Sequence, residues 1–426
     1  MDFGFDSDFD IEITDSAFQK SYGLRWKHEY GGTVACRPCE SDGIVYFGCD
    51  NYYFYALDSE TGKEVWKFKS GGCAGNYAPA VVKNMVFFGS YDGFLYAFEK
   101  TTGKLLWKFR TGERVVPGIA EKDGRIVFGS SDGNVYCLDM KGNEIWRFKT
   151  GDEIVSTPSI IGEMIYIGSY DCNMYCLSLE GKELWRFRTG GAVGNVAPVN
   201  VHGDHVYFGS WDLTFYCVDR HTGKEKWRFK TSQGILSGGL CHDNVVYFGS
   251  KEGFHALDME TGEELWSIKF GSEYLPHATN VCEYNGNIYF GGGEDTYERG
   301  LIACVDRNGK FIWKFITNGP SWVGPYIKNG MLFASSWNCY FYRLDPETGK
   351  EVWKFRTGGN PSKEKVIDHS EVALITIITG EGVTVDGEKP GKYNHIPDIQ
   401  IIESEYITRS EYSSGEKAYK SESGYR

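Results

Sequence analysis

Carboxylates, aromatics, cysteines and a few histidines are the side chains of this 426-residue chain with chemistry to offer, and their spacing decides what that chemistry is. An acidic or amide residue recurs at a regular interval: Asn51, Asp92, Asp132, Asp171, Asp212, Glu252 and Asn338. In several copies an aromatic precedes it, as Tyr91, Tyr170, Trp211 and Trp337. Asp and Asn suit tight turns because they hydrogen-bond locally and tolerate positive φ. Turn geometry has no such need for Tyr or Trp. Exposed aromatics are the usual anchors of interfaces, and Trp322 stands close to Trp337 in the chain. Tyr91, Asp92, Asp132, Tyr170, Asp171, Trp211, Asp212, Trp322 and Trp337, joined by His277, form the candidate interaction face.

Other chemistry is harder to find. Cys36-Arg-Pro-Cys39 is the single C-x-x-C. A redox or zinc motif of that type wants a helix N-terminus or a second pair. Here the residues read as an inner strand, where i and i+3 point to opposite faces, with Pro38 the one source of a bend. His277 reads as an inner-strand residue facing a central channel, and His255 as a packed replacement for a repeated Tyr. No P-loop or H-E-x-x-H occurs. No catalytic, cofactor-binding or metal-binding residue is assigned.

These side chains are carried on a repeat. Trp26, Trp66, Trp107, Trp146, Trp185, Trp227, Trp266, Trp313 and Trp353 follow one another at gaps of 40, 41, 39, 39, 42, 39, 47 and 40. They bound eight units, each the size of a four-stranded propeller blade. Within residues 71–111 the strands read, from innermost to outermost, GGCAGNYAPAVV, MVFFGS, FLYAFEK and KLLWKFRT. S-Y-D-G and T-T-G-K supply the tight turns between them. Second strands such as VYFG, VFFG, IVFG and IYIG are apolar on both faces, as stacked sheets require. Cys137, Cys176, Cys217 and Cys304 alternate with Ala56, Ala97 and Ala256 at one third-strand position, the mark of a small packing site. The expected fold is all-β, an eight-bladed β-propeller of four-stranded antiparallel blades. Residues 31–357 complete eight blades, leaving LRWKHEY (24–30) as a surplus strand, with EVALITIIT (371–379) as its candidate partner. The seventh repeat is the longest, and its excess falls in GGGEDTYERG (291–300), read as a projecting turn.

The outer-strand motif D-x-x-T-G-K-E-x-W, Asp58 to Trp66 in its first copy, returns with small changes at Asp219–Trp227, Asp258–Trp266 and Asp345–Trp353. It resembles the tryptophan-docking motif of propellers similar to pyrroloquinoline-quinone (PQQ) dehydrogenases, and the resemblance covers residues 24–357. It implies that Trp66, Trp107, Trp146, Trp185, Trp227, Trp266, Trp313 and Trp353 are structural, each indole packed on a neighbouring blade. The motif is specific for fold and weak for chemistry, because one fold hosts many functions. Dehydrogenases of this family use a disulfide between adjacent cysteines, a calcium held by acidic and amide side chains, and an aspartate base. This chain has no Cys-Cys pair, so the resemblance implies the scaffold with no cofactor. The outer-membrane assembly lipoproteins share the fold, and that alternative needs a secretory signal with a lipidated Cys.

Charge narrows the partners. The net charge is −13, a poor match to a phosphate backbone or to anionic lipid. Neither nucleic acid nor membrane is expected as a partner, whereas a basic protein suits. The opening MDFGFDSDFDIEITD carries six acidic groups and no apolar stretch of the secretory kind. A cytoplasmic location with reduced thiols is the expectation. Residues 1–23 read as an acidic segment, 24–357 as the propeller, and 358–426 as a non-repeat extension whose polar end is mobile by composition. The expected function is a non-catalytic scaffold for protein–protein interaction, working through one propeller face and the terminal extensions. Two alternatives stand beside it: an enzyme or small-ligand binder at the channel mouth, and a C-terminal tail recognised or modified by a partner.

Overall fold

The computed structural model describes residues 32–74, 78–116, 118–194, 198–235, 237–270, 281–293, 299–358 and 374–378. They form eight antiparallel sheets and no helix, the eight-bladed propeller expected from the tryptophan period. The blades run Cys39–Lys69, Ala80–Arg110, Ala120–Lys149, Ser159–Arg188, Asn200–Lys230, Leu240–Phe270, Val281–Thr317 and Tyr326–Arg356, and are numbered 1 to 8 in that order. Within each, the strands lie in chain order from the axis outward.

Second and third strands are buried on both faces, since each blade is sandwiched between two others. Phe54 of blade 1 stacks on Phe88 of blade 2 at 4.3 Å, and Phe215 of blade 5 on Phe248 of blade 6 at 4.1 Å. The Ala/Cys position of the third strand has no solvent exposure in blades 1 to 7. Inner strands are shorter than the sequence suggests. In blade 2 the strand is Ala80–Val82, while Cys73 and Ala74 belong to a link from the preceding blade. The links crowd the axis: a Cβ on Gly238 would stand 2.2 Å from the Pro198 carbonyl oxygen. Glycine-rich backbone there serves close approach rather than pairing.

Every outer strand carries a β-bulge beside its tryptophan. In blade 3, Cys137 pairs with Trp146 but Leu138 pairs with Glu144, leaving Ile145 as the extra residue. A bulge re-aims the neighbouring side chain, and here the indole turns toward the next blade. Trp146 Nε1 donates to the Leu179 carbonyl at 2.9 Å, and the ring lies against Gly181, where an added Cβ would meet it at 2.6 Å. Gly181 has φ +78°, so glycine is required there twice over. The arrangement recurs in all eight blades and closes the circle. Trp353 of blade 8 donates to the Ser59 carbonyl of blade 1 and lies on Gly62. Arg343 takes the place of the small third-strand residue in blade 8 and reaches Glu60 at 2.6 Å. Ser335 Oγ donates to the Cys36 carbonyl and Lys328 Nζ to the Glu40 carbonyl across the same seam.

The seam therefore joins two complete four-stranded sheets. Residues 24–30, with Trp26, lie outside the described residues. The strand expected within 371–379 forms as Leu374–Ile378, but its place is the outer edge of blade 6.

Candidate interaction face

The turns between second and third strands share one side of the ring with the links between blades, because each turn bonds to the link that precedes it. The amide of Tyr91 donates to Cys73 O, that of Tyr170 to Glu153 O, that of Trp211 to Ala192 O and that of Trp337 to Pro320 O. On this face the carboxylates point inward. Asp132 accepts from the amide of Gly112 in the link (2.8 Å), from the amide of Asn134 in its own turn (2.9 Å) and from Tyr136 Oη (2.7 Å). Asp92, Asp171 and Asp212 make the same three bonds, with Tyr96, Tyr175 and Tyr216 as phenol donors. Asn51 and Asn338 keep the pattern with the amide donating to Tyr55 and Tyr342. These residues tie turn, third strand and link together, so their charge is spent within the fold and not on an open acidic rim. The signal for these bonds in the sequence is the i, i+4 spacing of Asp or Asn and Tyr.

Burial pushes the pKa of Asp132 and Asp171 up, but the bonds from Tyr136 and Tyr175 and from backbone amides outweigh it, and both carboxyls titrate below the usual range. A depressed folded-state value means stability that is present above about pH 4 and lost as pH falls through it. Tyr136→Phe removes one donor to a charged acceptor and is expected to cost about 1–2 kcal/mol at neutral pH. Urea unfolding at pH 6 and pH 3 checks this: the penalty should shrink at the lower pH, and equal penalties would show that Asp132 is not the partner that matters.

The aromatics behave differently. Trp211 packs on Tyr170 with ring centres 5.7 Å apart, both half-buried. Arg114, in the link between blades 2 and 3, lies 5.4 Å over the Tyr91 ring and 3.4 Å from Glu153. Tyr91, Arg114, Glu153, Tyr170 and Trp211 thus make one arc across blades 2 to 5. Arg114 and Glu153 belong to the arc and were not among the sequence candidates. Trp337 is half-exposed in blade 8 and rests 4.8 Å from Trp322. Trp322 itself is 7 % exposed, so it supports Trp337 from below and presents little surface. His277 lies outside the described residues, as do residues 294–298 of the long seventh turn.

Cys36 sits at a bend ahead of the inner strand that starts at Cys39, not on the strand. Its sulfur bonds the Gly48 backbone, and burial pushes the thiol up to about 12; burial also raises Cys39. Such thiols resist forming the thiolate that redox or metal chemistry uses. His255 is buried between Ser250 Oγ at 2.9 Å and Glu264 Oε1 at 2.7 Å. Among the described residues no three or more of His, Cys, Asp and Glu are arranged to hold a metal. With the turn carboxylates already engaged, the described residues do not fit a quinone and its calcium.

Residues 16–119, 93–210, 173–294 and 298–389 match the PQQ_2 family model, described as outer membrane protein assembly factor BamB. Among curated proteins, a quinoprotein ethanol dehydrogenase of Pseudomonas aeruginosa is 39 % identical over 31 % of this chain and 23 % of its own length. The serine/threonine-protein kinase AfsK of Streptomyces griseus is 25 % identical over 38 % of this chain and 20 % of its own length. The assembly factor BamB of Burkholderia pseudomallei is 23 % identical over 29 % of this chain and 30 % of its own length. The chain thus spans less than a third of these relatives. Among solved structures, the computationally designed Ika8 protein superposes with a TM-score of 0.63 at 17 % identity, over 77 % of this chain and 98 % of that one. BamB from Moraxella catarrhalis superposes with a TM-score of 0.61 at 16 % identity, over 72 % and 94 %.

Proposed function

We propose that this chain, which belongs to the PQQ_2 family described as outer membrane protein assembly factor BamB, is a non-catalytic propeller scaffold that binds a protein partner on the face of its second-to-third-strand turns. The arc from Tyr91 through Arg114, Glu153 and Tyr170 to Trp211 carries the reading. It sets half-exposed aromatics and a paired Arg on a rigid frame, the residue types that dominate interface energetics. The relatives are named for several kinds of work, dehydrogenation, protein phosphorylation and outer-membrane protein assembly among them. A scaffold suits assembly, and the engaged carboxylates leave little for dehydrogenation. The net charge of −13 suits a basic partner. A reducing, cytoplasmic setting is part of the proposal, since all twelve cysteines stand as free thiols.

The test is affinity capture followed by mass spectrometry, with the full chain and its variants. Trp211→Ala and Trp337→Ala are expected to weaken capture by about 2 kcal/mol or more each, as buried interface aromatics do, while the thermal midpoint stays close to wild type. Asp92→Asn should leave capture nearly unchanged, because Asn already fills that position in blades 1 and 8. Unchanged capture by both Trp variants, with loss on deleting residues 359–426, would move the binding element to the tail.

A further inference from the structure

Seven of the eight outer strands place Lys or Arg directly after the docking tryptophan, as in the W-K-F of blades 1 and 8 and the W-R-F of blades 3 to 5. Each of these cations lies 4.3–5.8 Å over an aromatic ring of its own blade, as Arg147 does over Tyr136 and Arg186 over Tyr175. Five of them also pair with a Glu three residues earlier. Charge on an edge strand is a standing defence against a further strand, because pairing would strip water from it.

Blade 6 lacks both halves of this device. Ser267 stands where the cation would be, His255 where blades 3 to 5 place the ring beneath it, and Gly253 where blades 1, 2 and 8 do. Glu264, at the position of the pairing Glu in other blades, bonds His255 Nδ1 at 2.7 Å. Ser267 is 1 % exposed and Ile268 fully buried. This edge, alone among the described residues, carries a fifth strand. Leu374–Ile378 pairs antiparallel with it over five residues, from Trp266 opposite Ile378 to Phe270 opposite Leu374. The added segment, LITII, has no charged residue and three β-branched isoleucines with one β-branched threonine.

We propose that the outer edge of blade 6 is a strand-receiving site for an extended, uncharged, β-branched segment of a partner protein, and that residues 374–378 fill it until such a strand displaces them. Strand addition draws affinity from main-chain hydrogen bonds and selectivity from the side chains flanking them. The sequence already on the edge states the chemistry it accepts. Five residues form a short ladder, and a short ladder is reversible. Residues 359–373 tether the occupant, which keeps its local concentration in the range of about a millimolar. A competing strand must work against that tether. The site lies on the perimeter, so it stands or falls separately from the turn face.

The experiment uses the full chain with Ile375→Pro and Thr376→Pro together. Successive amides of a strand point to opposite sides, so one of two adjacent prolines removes a donor facing blade 6. The probe is a labelled synthetic peptide of residues 371–380. It is expected to bind the double-proline variant at least tenfold more tightly than wild type, and to lose that binding when Ser267→Arg is added. In the otherwise unaltered chain, Ser267→Arg is expected to speed hydrogen exchange of the 374–378 amides at least tenfold. Equal or absent peptide binding to both proteins, at unchanged circular dichroism, overturns the proposal. So does a wild-type dimer that the prolines dissolve, which would make the occupant a second copy of this chain.

Discussion

Trp266→Ala is expected to lower stability by about 3–5 kcal/mol, the range for truncating a large buried aromatic. Trp266 is 2 % exposed, the least of the docking tryptophans. Its indole donates to the Arg307 carbonyl at 2.8 Å and packs where a Cβ on Gly309 would stand 2.8 Å from the ring. It also belongs to the core cluster shared by blades 6 and 7, with Phe254, Phe290 and Ile316. Truncation removes contacts on both sheets and leaves the backbone acceptor without its donor. Blades in a ring contact chiefly their neighbours, so a weakened interface opens the circle at one place. Trp146→Ala, at a half-buried copy of the same position, should fall at or below the lower end of that range. Guanidinium unfolding of both variants measures the difference. If the two cost the same, burial on the next blade is not what sets the worth of a docking tryptophan.

The tryptophan period made the blade number legible, because one bulged, inter-blade indole per unit is a geometric necessity of this ring and therefore recurs at fixed spacing. Doubly apolar second strands such as VFFG were legible for the same reason: they are enclosed on both faces whatever the neighbours are. Inner strands come out shorter than the pattern implies, since among the described residues of GGCAGNYAPAVV the strand is Ala80–Val82. Its alternation is that of a chain threading a crowded axis, which local pattern does not separate from pairing. Turn chemistry by itself accounts for an Asp at these positions, so nothing in the turn calls for a further partner. Their second partner, a Tyr four residues on, was in the sequence six times as Asp or Asn with Tyr, and the third, a link glycine amide, was not readable from any short window. Trp322 looked like surface because it falls outside the repeat, whereas its burial under Trp337 depends on how link and turn stack. The destination of residues 374–378 was half legible. VALITIIT reads as a strand, but the edge that takes it is marked chiefly by Ser267, the one position after a docking tryptophan of the eight blades that is not Lys or Arg.

Alkaline unfolding is the second large effect expected. Burial, first among the causes, raises the phenols of Tyr55, Tyr216 and Tyr247 to about 12 and those of Tyr96, Tyr136 and Tyr175 higher still. For Tyr96, Tyr136, Tyr175 and Tyr216 the bonded aspartate adds to the rise, since a phenolate there would face a carboxylate and could no longer donate to it. Buried thiols move the same way, Cys176 and Cys217 to about 12. A folded-state value above the unfolded one means that the group stabilises the fold fully below its unfolded value. That contribution is lost as pH rises toward the folded one. The thiol share therefore begins to go above about pH 9 and the phenol share above about pH 10. Each further pH unit costs about 1.4 kcal/mol per group held neutral. A handful of such tyrosines exhausts the stability of about 5–15 kcal/mol typical of a folded domain. The expected result is a steep, cooperative loss of near-ultraviolet circular dichroism between about pH 10 and 11, with tyrosinate absorbance rising in the same step. The double variant Tyr136→Phe, Tyr175→Phe, compared with wild type as a change from its own neutral-pH stability, should lose less on alkalisation. Tyrosinate that appears gradually while the near-ultraviolet spectrum persists would mean that these phenols ionise in place, and that the aspartate beneath each one does not hold its proton.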